Sequence, residues 1–94
     1  MTYFVVLRQN GPEWNASVGM REQREWDEHA EFMDALVDDG FVVLGGPLAD
    51  GRVVLVVSAD SEDAIRATLA RDPWSESLLR VESIDRWSIL LDGR

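Results

Sequence analysis

Three uninterrupted apolar runs constrain this chain more than any other feature: "YFVVL" at 3–7, "FVVL" at 41–44 and "VVLVV" at 53–57. All are rich in β-branched and aromatic residues and have turn-forming residues close by, so all three read as strands. A sheet with one wet face should alternate apolar and polar residues along its strands. These runs do not alternate, so the sheet they build carries apolar side chains on both faces.

The segments between them complete an order. "REWDEHAEFMDALVDDG" at 24–40 has helical period, and the predicted helix runs from about Glu22 to Asp39. Trp26, His29, Ala30, Met33, Leu36 and Val37 share its apolar face, and Gly40 stops it. Asp50-Gly51 is a turn signal between the second and third strands. "DSEDAIRATLA" at 60–70 opens with Asp60 or Ser61 as a natural N-cap and continues as a second helix. "LLRVESIDRWSILL" supplies a last strand, at roughly 80–90. Strand, helix, strand, strand, helix, strand is the ferredoxin-like βαββαβ order. It predicts an α+β fold with a four-stranded antiparallel sheet and both helices on one face.

Two helices cover one face only. The expectation is a homodimer packed through the sheet faces, against the alternative that loops partly bury the second face. At 94 residues the chain is expected to form a single domain, 1–94.

Composition removes several functions. Asp and Glu number 18 against 9 Lys and Arg, a formal charge of −9, and there is no basic run. That disfavours nucleic acid and anionic membrane surfaces as partners. No apolar stretch approaches the about 20 residues of a membrane span, and the N-terminus lacks the features of a signal peptide, so a cytoplasmic protein is expected. Cysteine is absent, which excludes disulfides, thiolate zinc sites and a cysteine nucleophile. One histidine and scattered carboxylates give no metal-ligand spacing, and no serine sits in a nucleophile elbow. No cofactor or metal is expected.

What remains is His29. On an apolar helix face it is either a packed core residue or a general acid–base group, flanked one turn away by Trp26 and Met33. Asp72, in "RDPWSES", is either the N-cap of a short turn beginning at Pro73 or the carboxylate that orients an imidazole; one oxygen could serve each role. "GGPLADG" allows close backbone approach to a ligand or simply to a turn, but lacks phosphate-cradling spacing. Trp26 and Trp87 lie in regular elements as core or interface. Trp14, in the long "QNGPEWNASVGM" connection, and Trp74 lie where a ring can line a pocket, and that connection is a candidate lid.

The helix with His29, then "GFVVLGGPLADG", then "DPW" at 72–74 together resemble the YciI-like (YCII-related) family of small dimeric α+β-barrel proteins. The resemblance spans nearly the whole chain. It implies a dimeric α+β barrel, with the first-helix histidine and the DP-aromatic aspartate as the active-site pair, here His29 and Asp72. It also places the glycine–proline turn, Gly46 and Pro47, beside the same pocket. A member of this type is associated with dehydrochlorination of a chlorinated aromatic, and relatives on the barrel include lactone isomerases. Others on related barrels hold haem, for which one histidine could be an axial ligand. Many members carry arginine three residues before the histidine. Trp26 stands there instead, which favours a flat or apolar ligand and leaves Arg24 or Arg52 to meet any anionic group.

The expected function is therefore a cofactor-free lyase or isomerase acting on a small cyclic or aromatic molecule. His29 and Asp72 would move the proton, and Trp14, Trp26, Met33, Gly46, Pro47 and Trp74 would bind the substrate. The rival expectation is a non-catalytic small-molecule-binding or accessory dimeric domain.

Overall fold

The computed structural model describes residues 2–94. Strands β1 (Thr2–Asn10), β2 (Val42–Pro47), β3 (Val53–Ala59) and β4 (Leu79–Trp87) form one sheet, with helices α1 (Trp26–Asp38) and α2 (Glu62–Leu69) in the two crossovers. The strand order is β2-β3-β1-β4 and every pairing is antiparallel. This is the expected ferredoxin-like arrangement.

Register sorts the side chains into two faces. Phe4, Val6 and Arg8 of β1 lie opposite Val57, Leu55 and Val53 of β3, and all six are buried on the helix side. Ile65 and Leu69 of α2 and Leu36 of α1 close the core over them. Tyr3, Val5 and Leu7 lie opposite Ser58, Val56 and Val54 and point the other way. That second face is apolar in its middle but turns polar at β4, where Ser83 and Asp85 pair with Leu7 and Val5. The sequence runs foretold the apolar centre and not this polar margin.

Helix α1 begins four residues later than its periodicity suggests. Met20–Glu22 instead form a short 3-10 turn, and Glu25 adopts a left-handed backbone at φ 59° that separates the two. Within α1 the buried stripe centres on His29 and Leu36, with Phe32 and Met33 packed beside them. Val37 falls at the stripe's edge and is exposed, so its place on the apolar face is corrected. Gly40 ends the helix at φ 86°, a conformation favourable only to glycine among ordinary residues. Ser61 caps α2, its hydroxyl accepting from the Ala64 N–H at 3.1 Å. Strand β4 stops at Trp87, three residues earlier than expected, and residues 88–94 continue without regular structure. Among the described residues no helix is long and apolar enough to cross a membrane.

Candidate active site

Asp72 is the hub of the molecule's buried polar groups. It follows α2 in a tight turn in which its backbone carbonyl accepts from Ser75 N–H at 2.9 Å. Pro73 does not start a helix there. The capping role survives in smaller form, since Oδ1 accepts the Trp74 backbone N–H at 2.9 Å. The same oxygen lies 2.8 Å from His29 Nδ1, and Oδ2 lies 3.0 Å from it. Oδ2 also accepts from Arg8 Nη2 at 2.9 Å. His29 and Asp72, 43 residues apart in sequence, therefore meet directly, and one carboxylate serves turn, imidazole and guanidinium together.

Burial by itself would raise the Asp72 pKa. The hydrogen bonds from His29 and Trp74 and the charge of Arg8 outweigh it, so the carboxyl sits below its ordinary value and stays ionised. With Nδ1 against a carboxylate, a neutral imidazole carries its proton there and leaves Nε2 as the acceptor. Nε2 makes no hydrogen bond among the described residues and is not an enclosed polar atom. The ring is held as well as polarised. It stacks on Trp74 at 3.9 Å between centroids and 5° between planes. Trp74 is wholly buried and fixed in turn by its indole N–H, which donates to Arg24 O at 2.7 Å.

His29 opens onto a cleft of about 350 Å³ between α1 and the turn end of the β2–β3 hairpin. Trp26, Met33, Gly46 and Pro47 line it with His29, as does Arg8. Five of the eight residues that sequence alone nominated thus share one wall system, with Asp72 directly behind it. Trp14 and Trp74 are placed differently. Trp74 supports the imidazole from beneath, and Trp14 packs edge-on against Trp74 at 5.9 Å, away from the cleft lining. Neither is among the residues that line the cleft: Trp74 lies against the imidazole face, and Trp14 packs against Trp74.

The Trp14 connection is likewise no free flap. Gly11 and Glu13 N–H groups bond to Leu78 and Ser77 carbonyls. The buried Gln23 side chain donates to Asn15, Val18 and Gly19 carbonyls and accepts from Asn15 N–H. From this segment Met20 and Arg21 reach the cleft, with the Arg21 guanidinium 5.9 Å from the Trp26 ring centroid.

The arginines expected to face a ligand are elsewhere. Arg24 pairs with Glu13, and Arg52 with Asp50 and Glu82, all at the surface. Arg8 is the residue that sequence reading missed. Its signal was available: in "FVVLR", strand alternation sets Arg8 on the same side as Phe4 and Val6, hence inward. No group of three or more His, Cys, Asp or Glu among the described residues is arranged to hold a metal ion.

A ferredoxin-like α+β domain with a buried histidine–aspartate–arginine cluster opening on a half-apolar cleft is thus the class of protein that fold and site define. The chain belongs to the YCII-related domain family, whose model matches residues 1–88. A search of curated proteins finds no match.

Proposed function

We propose that this protein is a cofactor-free enzyme of lyase or isomerase type that moves a proton on a small cyclic or aromatic molecule. One observation carries the reading: Asp72 engages His29 Nδ1 while Nε2, on a residue that lines the cleft, has no partner among the described residues. In that tautomer Nε2 is the general base, and the protonated ring then returns its proton as general acid. Asp72 fixes the tautomer and stabilises the imidazolium, and the Trp74 stack holds the ring plane. Trp26 and Met33 offer apolar contact to a flat substrate, and Gly46 and Pro47 let the β2 backbone approach it.

The test uses the single histidine. ¹⁵N spectra of its neutral ring should show the Nδ1–H tautomer, with a pyridine-type Nε2, and Asp72→Asn should shift that balance. In D₂O, hydrogen exchange in a panel of ring compounds with acidic C–H bonds should be accelerated by the parent and fall about 100-fold or more in His29→Ala. The Nε2–H tautomer in the parent protein would sink the proposal. Ligand binding that survives in His29→Ala, with no exchange by either protein, would support a non-catalytic binding domain instead.

We further infer that two copies pack through the sheet faces turned away from the helices. Val5, Leu7, Val54 and Val56 form an apolar centre there, Leu44 is 53% exposed on β2 and Trp87 is 42% exposed on β4. The expected result is a dimeric mass by light scattering, reduced to monomer by Leu44→Glu with Val56→Glu. A monomeric parent would remove the inference.

A further inference from the structure

Two of the chain's three methionines, Met20 and Met33, line the same cleft as His29, and both are half-buried. Apolar contact with a flat substrate makes no use of their sulfur. A thioether is a soft, polarisable donor that favours Cu(I), and imidazole suits copper as well. The chain has no cysteine to compete for such an ion. Harder cations find no cluster of His, Asp or Glu among the described residues.

His29 is prepared for ligation by its surroundings. A metal-ligating histidine characteristically donates its other ring N–H to a carboxylate, which fixes the tautomer and strengthens the ligating nitrogen. Asp72 lies 2.8 Å from Nδ1, and Trp74 covers one face of the ring at 3.9 Å. The Nε2 edge and the second face are what His29 has left to present to the cleft. Met33 follows His29 by four residues on α1, the spacing at which two helical side chains reach one ion. Met20 approaches from the 3-10 turn Met20–Glu22, behind a segment that the Gln23 amide fastens through the carbonyls of Asn15, Val18 and Gly19. Trp26 also lines the cleft, its ring centroid 5.9 Å from that of His29, and an indole face attracts cations.

We propose that the cleft is a binding site for a soft monovalent cation, Cu(I) or its analogue Ag(I), held by His29 Nε2 and the thioether sulfurs of Met33 and Met20. The proposal shares the His29 tautomer with the base role above but requires no catalysis. The two uses exclude each other, because the Nε2 lone pair goes either to the ion or to a proton. A bound ion therefore switches the base off.

The charge balance favours one positive charge over two. All three donors are neutral. Arg8 and Arg21 at the cleft are matched by Asp72 and Asp34, and the chain as a whole carries −9. A divalent ion would call for a carboxylate among its ligands, and the one beside His29 is already engaged by Arg8 and the Trp74 N–H.

The experiment uses Ag(I), which keeps the charge and softness of Cu(I) without its oxidation by air. It is titrated, free of chloride, into protein carrying ¹³C-labelled methionine methyls and ¹⁵N-labelled histidine. One ion should bind per chain, moving the Met20 and Met33 methyl signals and His29 Nε2 together while the Nδ1–H persists. Met20→Leu and Met33→Leu keep the apolar volume and remove the sulfur; each, checked for folding by circular dichroism, should weaken binding by about tenfold or more. Without oxygen, the parent should also withdraw Cu(I) from the coloured chelator complex of bicinchoninate, and the double leucine variant should not. Ag(I) that moves neither methionine methyl, or that both leucine variants bind as tightly as the parent, overturns the site. Hydrogen exchange reads the base role separately. A parent that exchanges hydrogen but binds no Ag(I) loses only the metal site, and one that binds Ag(I) but exchanges nothing when metal-free loses only the base. Exchange undiminished at saturating Ag(I) places the ion away from Nε2 and overturns the assignment. The Nε2–H tautomer in the parent would remove both.

Discussion

Two arginine–aspartate pairs in this molecule have the same length and little else in common. Arg8 meets Asp72 at 2.9 Å with both side chains almost completely buried; Arg52 meets Asp50 at 2.9 Å with both in solvent. The exposed pair lies two residues apart, where the backbone of the β2–β3 turn brings the groups together at little cost. The buried pair joins residues 64 apart and adds His29 and the Trp74 N–H to the same carboxylate. Distance is therefore a poor guide to consequence. Removal from water makes each partner dependent on the others, whereas water replaces either partner at the surface.

The sharpest way to break the contrast is Asp72→Ala. It strips the buried guanidinium of its Asp72 acceptor and frees the 71–77 turn, and a loss of about 3–5 kcal/mol is expected from urea unfolding. An unchanged urea midpoint would show that the buried cluster does not hold the fold. A smaller effect is set by pH. The Asp72 pKa is lowered in the folded protein, so its contribution is fully present above the unfolded value near 3.8 and is lost as pH falls through the folded value. Asp72→Asn should flatten the fall in stability below about pH 4, measured by thermal unfolding across an acid series. A parallel fall in both proteins would assign acid unfolding to other carboxylates. Least of all is expected from Asp50→Asn. Although the Arg52 contacts hold the Asp50 pKa below its usual value, both groups remain open to solvent, and the urea midpoint should not move. A clear shift there would mean that surface pairs matter here as much as buried ones.

The same difference governs what was legible in the sequence. Period and β-branching revealed every strand, both helices and the face that carries His29, because those signals repeat along the chain. Gly40 was readable as a helix end, and the second helix's start was narrowed to Asp60 or Ser61, because their chemistry is local. The late start of α1 was not, since its break is a left-handed Glu25, a residue with no preference for that conformation. Asp72 was nominated by its turn chemistry and by family resemblance, but its meeting with His29 depends on how two crossovers lie on one sheet. Arg8 escaped notice because attention to the uninterrupted run "YFVVL" hid the alternation that turns the next residue inward. Trp74 was readable as a ring that can line a pocket, but its stacking on His29 was not, for no local signal shows which ring a distant tryptophan will meet.

Gln23 carries a consequence for how the cleft meets its guest. With one enclosed amide donating to carbonyls of Asn15, Val18 and Gly19 and accepting the Asn15 N–H, the chain that presents Met20 and Arg21 at the mouth is fastened before anything arrives. Such a doorway needs no folding-in of its frame, so binding loses little entropy to ordering and the backbone should differ little between empty and filled forms. Residence time in this protein would then be governed by the grip of the walls, with no hinge to wait for.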